Sequence, residues 1–208
     1  SCGNGGSSAI SEHFVCDFLK GASTDTSIQP IIHSFTSNTP TLTAVANDIS
    51  YEEVFSFQLE KYARRKDILI CISSSGNSPN ILKSIETAKV IGMNTISLVG
   101  FDGGRAKEIS DYCLHVETNN YGIAEDLHQS LMHLLAQYIR LINLDGSKKV
   151  EYGRIVKNLF WDDVYSTYTT NSMGLPTTYE VLKKSVEYPF IYRMWKQPSS
   201  RKFVELGK

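Results

Sequence analysis

The chain has 208 residues, with 21 Lys and Arg against 22 Asp and Glu for a net charge of −1, so no general basic field is present to hold nucleic acid or an anionic membrane. Hydrophobic residues make up 41%, the mean hydropathy is −0.19, and no apolar run approaches the roughly 18 residues of a membrane span. The length suits about one domain with one well-filled core, and any anion must be gripped locally.

The chain opens on Ser1-Cys2-Gly3-Asn4-Gly5-Gly6-Ser7, a glycine-rich loop entering a predicted helix over 7–20. Such a loop normally follows a strand, so a first helix and first strand are expected ahead of these residues and absent from them. A glycine cluster makes a turn or lets a ligand approach the backbone. On the predicted helix, His13 and Asp17 are four apart and project from one side.

A β-branched run at 31–35 reads as a strand, and a helical stretch at 39–64, broken into two, follows it. Ala46-Asn47-Asp48 falls between those two helices, where Asp48 either caps the second or accepts hydrogen bonds from sugar hydroxyls. Continuous apolar runs at 67–73, 94–100 and 112–116 read as buried parallel strands, separated by helices at 78–91 and 103–109. The repeated βαβ pattern predicts an α/β fold: a three-layer αβα sandwich around a parallel, flavodoxin-like sheet, with ligands at the carboxyl ends of the strands.

Ser73-Ser74-Ser75-Gly76-Asn77-Ser78-Pro79 leaves one such strand and enters a helix. Hydroxyls and free backbone N–H groups at a helix start form an anion cradle, and Pro79 suits a first turn that needs no N–H. A phosphate is the expected ligand; no GK[ST] follows, so this is not a Walker loop. The plainer alternative is a serine-rich turn in which Ser78 caps the helix.

Ile123, Leu127, Leu131, Leu134, Leu135, Tyr138, Ile139 and Ile142 mark a long final helix by their spacing. Glu125 and His133 on it are eight apart, about 80° around the axis. If the helix ends meet, His13, Asp17, Glu125 and His133 bring two imidazoles and two carboxylates together, a set suited to zinc or to proton transfer. Helical histidines beside acids also occur as surface pairs, and His33, His115 and His128 read as structural. Residues 1–143 form the domain, and the aromatic-rich segment 144–208 reads as an extension packed on the domain or on a neighbouring subunit.

The four cysteines, Cys2, Cys16, Cys71 and Cys113, are widely spaced and show no finger motif. Cys71 and Cys113 lie in apolar runs and read as reduced core thiols. With an N-terminus unlike a signal peptide, this points to the cytoplasm.

Taken together, the 1–7 loop, His13-Phe14, Leu42 through Asp48, Ser73 through Pro79, Asp102-Gly103-Gly104 and the helix with Glu125, His128 and His133 resemble the SIS (sugar isomerase) domain. Within it they are similar to the phosphoheptose isomerase family over residues 1 to about 143. The resemblance implies aldose–ketose isomerisation of a phosphosugar, with sedoheptulose 7-phosphate first in line, as part of heptose or surface-glycan precursor synthesis. It also implies one zinc per subunit and a homotetramer with sites at subunit interfaces. Carried over by position, Asn4, Gly5, Gly6, Asn47 and Asp48 contact substrate and Ser73, Ser74, Ser75 and Ser78 hold its phosphate. His13, Asp17, Glu125 and His133 hold the metal, Glu125 also meets substrate, and Asp17 and His133 move protons. The family commonly has Glu and Gln where this chain has Asp17 and Glu125; Asp is shorter by one methylene, about 1.5 Å. Related SIS domains also act as phosphosugar-sensing regulators or replication-initiator-binding proteins, which stand as the alternative together with isomerisation of a different phosphosugar.

Overall fold

The computed structural model describes residues 1–158 and 194–196. Four parallel strands pair in chain order: β1 (Cys2–Gly3), β2 (Ile68–Ser73), β3 (Asn94–Val99) and β4 (Tyr112–His115). A short strand β5 (Met194–Lys196) closes the sheet antiparallel to β4. The helices are α1 (Gly6–Cys16), α2 (Thr39–Asp48), α3 (Ser56–Tyr62), α4 (Pro79–Ile91), α5 (Gly104–Ile109), α6 (Tyr121–Asn143) and α7 (Gly146–Asn158). No helix among the described residues is long and apolar enough to cross a membrane.

Alternation along each strand divides the side chains between two cores. Cys2, Leu69, Cys71, Val99 and Cys113 face Val45, Phe55, Leu59, Ile81, Ile85 and Ala106 of α2 to α5. Ile72, Leu98 and Leu114 point the other way, onto Ile10 and Phe14 of α1 and Leu127, Leu131 and Met132 of α6. The three-layer αβα prediction therefore holds. Each buried side chain of this size stabilises by roughly 1.5–3 kcal/mol relative to exposure.

Local chemistry sets the helix ends. Asn38 accepts the Thr41 N–H at 3.0 Å to start α2, and Asn120 accepts the Ile123 N–H at 3.2 Å to start α6. Pro79 opens α4, and Gly92, left-handed at φ 87°, ends it.

Cys2 and Gly3, just ahead of the glycine turn, pair with Cys71 and Ile72. Two expectations are corrected. Residues 31–35 do not form a strand: Ile31 is 91% exposed, and among the described residues Ser1 is the one backbone opposite the segment, donating to the His33 carbonyl at 2.6 Å and accepting from the Phe35 N–H at 2.9 Å. One register position is too little to extend a ladder. Asn47 and Asp48 form the last turn of α2 instead of a linker, and a 3-10 turn at Tyr51–Glu53 separates them from α3.

The helix predicted over 7–20 divides in two: α1 passes at Asp17 into a π-helical turn, Asp17–Ala22, a wider winding often met at functional sites. Cys2, Cys71 and Cys113 are buried free thiols, and Cys16 is exposed. Lys148 of α7 pairs with Asp25 at 2.7 Å, and the Arg140 guanidinium lies 4.3 Å from the centre of the Tyr152 ring. The rest of the 144–208 extension, beyond β5, lies outside the described residues.

Candidate active site

The glycine loop turns at Gly5, whose φ of 55° favours a residue without a side chain. Just before it, Asn4 and Asn80 exchange amide hydrogen bonds, Asn4 Nδ2 donating at 2.8 Å and Asn80 Nδ2 at 2.9 Å. The Tyr51 hydroxyl donates to Asn4 Oδ1 at 3.0 Å. Asn80 is buried in the first turn of α4, so the glycine loop is clamped to the helix that the serine loop enters.

The serine loop stands at the carboxyl end of β2. Ser73 Oγ accepts the Gly76 N–H at 3.2 Å and Ser75 Oγ accepts the Asn77 N–H at 3.3 Å, so these two hydroxyls shape the turn. Ser74 Oγ is buried without a protein partner. Ser78 occupies the N-cap position of α4 but its hydroxyl does not cap, which argues against the plainer reading of that serine. Gly76, at φ 64°, packs so tightly on Gly103 that a methyl there would overlap the Gly103 carbonyl. Gly100 sits between the serine loop and α6: its N–H donates to the Ser74 carbonyl at 2.9 Å, and a Cβ there would lie 2.9 Å from both that oxygen and the Ala124 Cβ.

On the opposite layer, α1 and α6 meet through their titratable groups. Asp17 presents one carboxylate oxygen to each imidazole, Oδ2 at 2.7 Å from His133 Nδ1 and Oδ1 at 3.3 Å from His13 Nε2. The two rings are edge to face with centroids 5.0 Å apart. Potential ligand atoms of His13, Asp17 and His133 all lie within 4.8 Å of one another. Glu125 points elsewhere: its carboxylate packs on Gly6, where a Cβ would overlap it. The structure thus brings three of the four predicted metal ligands together and puts the fourth against the glycine loop.

Asn47 and Asp48 remain exposed and bond each other, Asn47 Nδ2 to Asp48 Oδ1 at 2.8 Å. The 3-10 turn after α2 reaches the site through Tyr51 instead.

A model of the SIS domain family matches residues 1–100. The chain is 41% identical over 138 residues to a phosphoheptose isomerase of Helicobacter pylori, covering 66% of this chain and 71% of the relative. It is 38% identical over 141 residues to a probable phosphoheptose isomerase of Thermoplasma acidophilum, covering 66% and 75%. The solved phosphoheptose isomerase of Neisseria gonorrhoeae superposes with a TM-score of 0.60 at 31% identity, covering 66% of this chain and 74% of that one. The chain belongs to the phosphoheptose isomerase family.

Within this phosphoheptose isomerase frame the donor set suits zinc, which takes imidazole nitrogen and carboxylate oxygen and, in catalytic sites, three protein ligands with one position open. His13, Asp17 and His133 supply that number and those types.

Three site residues escaped sequence reasoning. Asn80 and Tyr51 matter only through Asn4, 76 and 47 positions away in the chain, and no local pattern announces that. Gln129 donates its amide to His133 Nε2 at 3.1 Å; its i,i+4 spacing was the one available signal. His128, read as structural, is fully buried with neither ring nitrogen in a hydrogen bond of proper geometry. Burial lowers its pKa to about 4, and the nearby Val99 backbone offsets this only in part.

Proposed function

We propose that this protein interconverts sedoheptulose 7-phosphate and D-glycero-D-manno-heptose 7-phosphate. The observation that carries the reading is the Asp17 carboxylate held between two imidazoles, on the α1–α6 layer that also carries Glu125 to the glycine loop.

The serine loop receives the phosphate: Ser74 and Ser78 have hydroxyls not committed to the turn, and the start of α4 adds its N–H groups and dipole. Gly5 and Gly6 let the sugar approach the backbone, with Asn4 held in place for hydroxyl recognition and Asn47, Asp48 and Glu125 as further substrate contacts. A base removes the proton beside the carbonyl, giving an enediol(ate), and an acid returns a proton at the neighbouring carbon. Asp17 and His133 are the pair for these transfers. Zinc held by His13, Asp17 and His133 would keep one position open to polarise the carbonyl or diol oxygens and lower the cost of the developing charge.

We further place residues 1–143 as the SIS domain, with 144–208 packed on it or on a neighbouring subunit. One zinc per subunit, a homotetramer with interfacial sites, a cytoplasmic location and a role in lipopolysaccharide or capsule precursor synthesis complete the proposal. The buried free thiols support a reducing compartment.

The test is to incubate the full chain, metal-replete and chelated, with sedoheptulose 7-phosphate and to follow aldose phosphate formation by NMR. Metal-dependent conversion is expected. Phosphate-dependent binding without conversion would instead favour a phosphosugar-sensing module or an isomerase of another phosphosugar.

A further inference from the structure

We infer that His115 is a positioning residue for the serine loop, acting through Phe101 and the Asp102-Gly103-Gly104 turn. Phe101 leaves β3 with a left-handed backbone, φ 48°, a conformation that a bulky residue keeps only where its surroundings enforce it. Three contacts do so here. The Phe101 N–H donates to the Thr118 carbonyl at 2.9 Å, the ring stands edge to face on Tyr121 with centroids 4.7 Å apart, and the Phe101 carbonyl lies 2.9 Å from His115 Nε2. A carbonyl can only accept, so the imidazole hydrogen belongs on Nε2; the Lys107 ammonium, 3.2 Å from Nδ1, can only donate, so Nδ1 offers its lone pair. Both neighbours select the tautomer that holds Phe101. The turn held in this way buttresses the serine loop. The Gly100 N–H donates to the Ser74 carbonyl at 2.9 Å and the Ala106 N–H to the Gly76 carbonyl at 2.8 Å. The Arg105 N–H donates to Asn77 Oδ1 at 2.9 Å, and Gly103 packs directly on Gly76. Phe101 stands inside this span, so releasing its carbonyl lets the residue return to an ordinary φ and turns the peptide planes that meet Ser74 and Gly76. These contacts run to the serine loop, so phosphate binding and not proton transfer feels their loss.

This inference rests on the reading of the serine loop as the phosphate site. In the full chain, His115→Leu removes the donor, and His115→Gln keeps an amide N–H of similar reach. His115→Leu is expected to raise the Kd for inorganic phosphate, read by 31P NMR titration, and the KM for sedoheptulose 7-phosphate. Each should rise by about fivefold or more, the worth of one hydrogen bond, with kcat within about twofold of the parent. His115→Gln is expected to bring both constants back to within about twofold of the parent. A merely structural imidazole would move the urea midpoint and leave the phosphate constants, measured without urea, where they were. Constants in His115→Leu equal to the parent's, or a loss that His115→Gln does not recover, overturns the inference. In the parent in alkaline buffer, the imidazole 15N resonances of His115 are expected to place the hydrogen on Nε2; a hydrogen on Nδ1 overturns it even where His115→Leu does not fold. A parent without turnover leaves the phosphate constants to decide. A parent that binds no phosphate sinks the serine-loop reading instead, and the Ser74 and Gly76 amide resonances then decide: displaced in His115→Leu and restored in His115→Gln they support the inference, and unmoved they overturn it.

Discussion

Asp17 Oδ2 lies 2.7 Å from His133 Nδ1, although the two residues are 116 positions apart in the chain. Asp17→Asn keeps the shape and removes the proton acceptor. Loss of general acid–base help costs about 10²–10⁴ in kcat, while a partly exposed hydrogen bond contributes about 1 kcal/mol to stability. Turnover and the thermal midpoint, measured on the same sample, should therefore separate. An inactive variant that has also unfolded would leave no case for a chemical role.

Two glycines of the site should respond differently to alanine. At Gly6 the obstacle is the far end of the flexible Glu125 side chain, which can swing away. Stability should change by about 0.5 kcal/mol or less while KM rises, because the displaced carboxylate enters the sugar pocket. At Gly76 the obstacle is the Gly103 backbone, and φ is 64°, so destabilisation of about 1–3 kcal/mol is expected. Denaturant midpoints for the two variants settle the order.

Asn80→Ala removes one half of a reciprocal amide pair and, among the described residues, leaves the Asn4 side chain the Tyr51 hydroxyl as its hydrogen-bond partner. The expected cost is about 1–3 kcal/mol, with a rise in KM, since Asn4 and its glycine loop are then less well ordered. A KM equal to the parent's would show that the clamp does not serve the substrate.

His128 predicts a pH dependence of stability. Its folded pKa, lowered to about 4 by burial, lies below the ordinary value of 6.5, so the unfolded chain takes up the proton first as pH falls. The stabilisation is complete above about pH 6.5, fades between 6.5 and about 4, and amounts to about 3 kcal/mol. Urea midpoints across that window should fall in the parent protein and fall less in His128→Leu; equal slopes would remove His128 as the cause.

The layers of the fold were readable because buried parallel strands are continuously apolar and α6 repeats its apolar residues by threes and fours. Residues 31–35 have the same β-branched composition yet, among the described residues, face the backbone of Ser1 alone, and composition cannot say whether a strand has a neighbour. In the site, the spacing of His13 and Asp17 was legible along one helix. That His133 and not Glu125 completes their group depends on how α6 is rotated against α1, a tertiary fact. Glu125 shares the helix, but its side chain leaves on a different heading and ends at Gly6. The Asn4–Asn80 clamp was invisible for a similar reason: both residues carry ordinary turn and helix-start chemistry, and only the sheet puts them side by side.

Gly100 touches both halves of the site, with the Ser74 carbonyl on one side and Ala124 on the other. Its missing side chain sets the distance between the serine loop and the rod that carries Glu125, Gln129 and His133. A single added methyl at this joint would push three functional groups outward together, with none of them altered. With the serine loop holding phosphate as proposed, the gap between phosphate and reactive carbons is an adjustable length in this architecture, and a change at residue 100 is the economical route to a sugar phosphate of different span.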